Sequence, residues 1–142
     1  MKARRKAREA ALRILYMMDV GGLDIETAER GYWAHFAEEE DVPARPFGER
    51  LVRGYAGRAH EVDEAIRAAS HHWRLERMAR VDRNILRLGL TELLEGETPE
   101  RVVLNEAVEL AKRYGAEGSA GFVNGILDQC ATRLRRRSAS ER

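Results

Sequence analysis

The sequence predicts an all-α protein of six or seven helices with no sheet. Three observations carry that prediction. Apolar residues recur at helical spacing through most of the 142 residues. No long alternating apolar–polar run marks a strand. Only three prolines are present, and glycine or proline falls where the helical patterns stop.

The first helix is expected over Lys2–Met18, with Ala7, Ala11, Ile14, Leu15 and Met18 on its core face. Lys2, Arg5, Glu9 and Tyr16 fall together on another face. Gly21 and Gly22 end it, and Asp24 is placed to cap a second helix over Ile25–Glu39, whose Tyr32, Trp33 and Phe36 form an apolar edge. The acidic run Glu38–Asp41 with Pro43 and Pro46 reads as a mobile loop of variable length. A third helix is expected over Phe47–Ser70, in which Gly54 and Gly57 suggest a close crossing or a kink. A short helix around Leu75–Met78 leads to Val81.

Asp82 is placed to cap the next helix, which Ile85, Leu86, Leu88, Leu90, Leu93 and Leu94 make apolar around much of its circumference. It is expected to be the central helix of the core. Gly96 closes it, Thr98 caps the following helix and Pro99 takes its first position. In that helix Val103, Ala107, Leu110, Ala111 and Tyr114 form the buried stripe. Gly115 is expected to close it in a left-handed conformation, with Ser119 capping the last helix. There Val123, Leu127, Cys130, Ala131 and Leu134 make the buried stripe, and Gly125 suggests a backbone passing close by. The tail Ser138–Arg142 reads as disordered, leaving one domain over residues 1–137.

Composition narrows the function. Hydrophobic residues make up 44% and charged residues 35%. No apolar run approaches a membrane span, and the first residues lack the apolar stretch of a secretion signal. One cysteine cannot form an internal disulfide, which fits a cytoplasmic protein. The formal net charge of +1 hides an uneven distribution. Lys2, Arg4, Arg5, Lys6 and Arg8 open the chain without an acid, and Arg133, Arg135, Arg136 and Arg137 close it in the same way. A basic end on an acidic body suits a polyanion, and equally a solubilising tail.

Catalytic patterns are missing. His35, His60, His71 and His72 make no chelating set, and no C-x-x-C or H-E-x-x-H spacing occurs. Cys130 lies on an apolar stripe with no histidine near it, which marks it as structural. The carboxylates follow helix-surface spacings, such as Glu9–Arg13. Gly115, Gly118 and Gly121 are not a P-loop, and the residues alone favour a cap and a tight turn. Tyr16 beside cations would suit single-stranded RNA, although an aromatic at the core edge explains it as well.

Three stretches carry a resemblance. NEAVELAKRYG followed by GAEGSAGFVNGILD (residues 105–128) resembles the signature of the NusB family of bacterial transcription antitermination proteins. VDRNILRLGLTELL, Val81–Leu94, is similar to that family's mid-chain helix, and ARRKAREAALRILY, Ala3–Tyr16, to its arginine-rich opening. The order and spacing of the three agree as well.

The resemblance implies a fold of two small helical bundles packed together and no enzymatic activity or cofactor. It implies binding to boxA RNA together with the ribosomal protein NusE, within a complex of NusA, NusG and RNA polymerase that supports ribosomal RNA transcription. On the RNA side it places Arg4, Arg5, Lys6, Arg8, Tyr16, Glu117, Gly118, Ser119 and Phe122, and Lys2 joins them because it shares the face of Arg5 and Tyr16. Near NusE it places Asp82 and Arg83. Two positions depart from the family pattern: Gly118 stands where an acid or amide is common, and Gly121 where lysine is common. Lys112 or Arg113 would have to supply the missing cation. Two other readings stay open. One is the RNA-binding module of a ribosomal RNA methyltransferase, which would require a cofactor domain that these residues do not provide. The other is a protein-binding adaptor, including a homodimer formed without NusE.

Overall fold

A computed structural model describes residues 2–36, 42–71 and 73–141. Seven α-helices and one 3-10 turn account for most of them: α1 Lys2–Gly21, α2 Ile25–Phe36, α3 Arg45–Gly57, α4 Ala59–Ala69, the turn Leu75–Arg77, α5 Arg80–Glu95, α6 Glu100–Tyr114 and α7 Ser119–Ser140. No strand occurs among the described residues. The helices form two groups, α1–α3 and α4–α7, joined through α5.

Helix α5 packs against α1, α3, α4, α6 and α7. Ile85, Leu86, Leu88 and Leu90 on it are almost fully buried, which is the central role its sequence suggested. Close crossings are made at glycines. A Cβ on Gly48 of α3 would lie 2.7 Å from the Ala7 carbonyl of α1, and one on Gly89 of α5 would lie 2.8 Å from Leu127 of α7. Gly54 meets the side chains of Thr91 and Glu95 in the same way.

Several expected boundaries move. The helix expected over Phe47–Ser70 is two helices, because Arg58 leaves helical geometry (φ −128°, ψ 22°) and its N–H closes onto the Tyr55 carbonyl. The Tyr55 hydroxyl donates to Asp63 and ties the two pieces together. Asp24 does cap α2, accepting the Thr27 N–H at 2.8 Å. Asp82 caps nothing: α5 begins at Arg80, so Asp82 lies inside the first turn. Thr98 is buried rather than capping, and Pro99 precedes α6, its carbonyl accepting the Val102 and Val103 N–H groups.

At the α6–α7 corner the left-handed residue is Gly118 (φ 88°), not Gly115, which is extended (φ −89°, ψ −178°). Gly115 serves close approach instead, since a Cβ there would lie 2.6 Å from Cβ of Ser119. Gly125 is exposed with nothing within 4 Å, so no backbone among the described residues passes it. Helix α7 continues to Ser140, beyond the point where order was expected to stop. The acidic run Glu38–Asp41 and His72 lie outside the described residues.

Candidate nucleic-acid interface

Side chains bridge α1 and α6 across a groove. Arg5 donates to both oxygens of Glu106, at 3.3 and 2.7 Å. Arg113 pairs with Glu9 at 3.1 Å. Arg13 donates to the Tyr114 hydroxyl at 3.4 Å and lies near its ring. These bridges set the outer face of α1 beside the half of α6 that leads into the corner. A second groove of about 340 Å³ continues along this face, lined by Leu12, Arg13, Tyr16, Met17, Tyr32, Val81 and Tyr114. Tyr16 is 39% exposed on its edge.

The opening cations divide. Lys2, Arg4 and Lys6 are exposed and have no carboxylate partner among the described residues. Arg4 rests over the Phe47 ring, 4.7 Å from its centre. Arg5 is half exposed, with Glu106 engaging it. Arg8 corrects the sequence expectation. It is 4% exposed and forms two hydrogen bonds to Glu92, at 2.9 and 2.6 Å, with a third to Glu106 at 3.4 Å. Both carboxylates are themselves buried. Arg8 is therefore an internal strut, turned away from any phosphate. Its position between Leu12 and Leu15 on the helical wheel was the signal that could have shown this.

The corner also divides. Lys112, Glu117 and Gly118 are exposed. Ser119 is 4% exposed, and its hydroxyl accepts the Ala116 N–H at 3.0 Å, so it fastens the turn instead of facing outward. Phe122 is half-buried, and its ring meets Trp73 edge-on at 5.6 Å. Trp73 is 61% exposed, the most exposed large apolar side chain described. Its place between helices, where no periodicity singles it out, hides it in the sequence. Tyr114 and Arg13 are hidden as groove residues for the opposite reason: each fits the pattern of its own helix.

Asp82 and Arg83 are turned inward. Asp82 is 8% exposed and its Oδ1 has no hydrogen-bond partner. Arg83 donates to Asp19 at 2.5 and 2.6 Å. Asp19 also receives Asn84 and Arg87, and Arg87 reaches on to Asp63. Burial alone would raise the Asp19 carboxyl, but the hydrogen bonds from Arg83 and Asn84 and the neighbouring guanidinium charges hold it below its ordinary value. These residues join α1, α4 and α5, so the side chains of Asp82 and Arg83, expected near a NusE interface, are engaged within the chain or buried.

Burial pushes the Cys130 thiol up to about 11, so it stays protonated at neutral pH. No cluster of three or more metal-ligating side chains occurs among the described residues. No described helix is long and apolar enough to cross a membrane.

The family model described as NusB family matches residues 5–132. The chain belongs to the NusB family. It is 50% identical over 131 residues to the transcription antitermination protein NusB of Anaeromyxobacter dehalogenans strain 2CP-1, covering 92% of each chain. Among solved structures it resembles NusB of T. maritima, with TM-score 0.81 and 37% identity over 91% of this chain and 90% of that one. It also resembles a chain from a crystal structure of the antitermination factors NusB and NusE in complex with double-stranded RNA. There the TM-score is 0.83 and the identity 27%, over 93% of this chain and 98% of the other.

Proposed function

We propose that this NusB-family chain is a cytoplasmic, non-catalytic RNA-binding factor that engages boxA RNA together with NusE. Through that pair it joins NusA, NusG and RNA polymerase and supports transcription of ribosomal RNA. The observation that carries the reading is the arrangement of one outer face. Lys2 and Lys6 stand free of carboxylates at one end of α1, and Tyr16 edges an apolar groove farther along it, beside Tyr114 and the corner, while Arg4, also free of carboxylates, leans toward α3 over Phe47 at the same end.

The chemistry follows from those groups. The cations draw in phosphates and release counterions, which supplies affinity without sequence preference. An unpaired base stacks on Tyr16, and base edges meet the polar groups of the corner. A single strand suits this face, because stacking on a protein ring needs a base freed from its own helix. Lys112 or Arg113, at the end of α6 and paired with Glu109 and Glu9 in the free chain, takes the place of the cation absent at Gly121.

Co-purification with NusE, with and without boxA RNA, tests the proposal. A ternary complex that forms with boxA and not with a scrambled RNA is expected. Failure to bind RNA in both the presence and absence of NusE would reject it.

A further inference from the structure

One outer stripe of α7 extends away from the face described above. At about 100° per residue, Arg133 falls within about 20° of Phe122 on the helix, and Gln129 and Arg136 fall within about 40° of it. Arg133 lies about 16 Å beyond Phe122 along the axis. The segment before the 3-10 turn borders this stripe at both points: Trp73 meets Phe122, and His71 meets Arg133 at 3.3 Å.

Three features distinguish the stripe. Gln129 and Arg136 are exposed on it, and Arg136 and the adjacent Arg137 have no carboxylate partner among the described residues. Arg135, on another side of α7, is by contrast paired with Glu100. Asp128 is the one acid between Phe122 and Arg137 and points about 120° away from Phe122, and Glu141 follows one turn beyond Arg137 without an ion pair to it. Gly125 lies on the same stripe, exposed, with nothing within 4 Å of where its Cβ would be. A glycine inside a helix costs about 1 kcal/mol relative to alanine. Packing within this chain gives no reason for that cost.

We infer that this stripe is a second segment of the RNA path. Single-stranded RNA that leaves the Phe122–Trp73 ring pair runs along α7, its backbone lying over the bare surface at Gly125 and its phosphates meeting Arg133, Arg136 and Arg137. Positive charge without acid partners suits a polyanion, and the exposed ring of Trp73, backed by half-buried Phe122, suits a base at the start of the track. The site takes unstructured nucleotides flanking the recognised element, with no demand on their sequence. This inference rests on the proposed RNA-binding function.

The test measures binding of two kinds of labelled RNA by fluorescence anisotropy: a boxA oligonucleotide, and the same RNA carrying a run of uridines at either end. The wild-type chain is expected to bind one of the extended RNAs about three- to tenfold tighter than the short one. Arg133→Ala/Arg136→Ala should abolish that gain and leave the short RNA unaffected. Gly125→Gln should abolish it too while making the helix more stable, so a folding defect cannot explain the loss. An equal affinity of wild type for all RNAs, or a gain kept by both variants, overturns the inference alone. Binding of polyglutamate at this stripe without any gain from the uridines assigns it to an acidic protein and also overturns it. Failure to bind any RNA removes the functional proposal and the inference together.

Discussion

Arg8 of α1 and Glu92 of α5 meet through two hydrogen bonds, 2.9 and 2.6 Å long, with both side chains about 95% buried. The pair pins the helix that carries the exposed cations onto the central helix. Arg8→Ala would leave Glu92 buried without its counter-charge. The expected loss is about 3–5 kcal/mol of folding stability, measured by urea denaturation. Replacing both partners with apolar residues of similar volume should restore much of it. A loss below about 1 kcal/mol for the single variant would contradict the strut role.

The Asp19 network makes stability depend on pH in a definite direction. The folded carboxyl lies below its ordinary value of 3.8, so its contribution is present at neutral pH. That contribution is lost as the pH falls through the ordinary carboxylate range and below. Asp19→Asn should lower stability at pH 7 and flatten the loss between about pH 5 and pH 2. Parallel denaturation curves for the two proteins over that range would show that Arg83 and Asn84 do not hold the charge.

Two glycines of the final corner and helix should respond with opposite signs. Gly118 has φ 88°, so Gly118→Ala is strained although space is open around it, and should cost about 1–2 kcal/mol. Gly125 is helical with open space, so Gly125→Ala should add about 1 kcal/mol. Thermal or urea melts of both variants check this, and equal effects would contradict the assigned backbone geometry.

Tyr16→Ala should weaken boxA binding by about 1–3 kcal/mol, the usual worth of a stacked base. The exposed edge of the ring implies a smaller effect on stability than on binding. Unchanged RNA affinity with a large drop in stability would assign the ring to packing alone.

The sequence displayed the stripes of the core clearly, because burial imposes a helical period on each helix in isolation. Ile85, Leu86 and Leu90 could be read in that way. It displayed pairings between helices poorly. Arg8 looked like one more surface cation because Glu92 is 84 positions away. Ser119 resembled a cap because its type fits, yet its hydroxyl is taken by Ala116 within the turn. Gly125 suggested a crossing, while the close crossings lie at Gly48 and Gly89, where the neighbour is Ala7 or Leu127. Trp73 carried no periodic signal, and its place beside Phe122 emerges only in three dimensions.

The central claim is that the free cations of α1 hold RNA by charge. A titration of boxA RNA across salt concentrations, with wild type and with Lys2→Ala/Arg4→Ala/Lys6→Ala, tests it most directly. These side chains are exposed, so folding should be preserved. The triple variant should bind more weakly at low salt, and the slope of log affinity against log salt should shrink by about 0.7 for each phosphate no longer neutralised. An unchanged affinity and an unchanged slope would contradict the account.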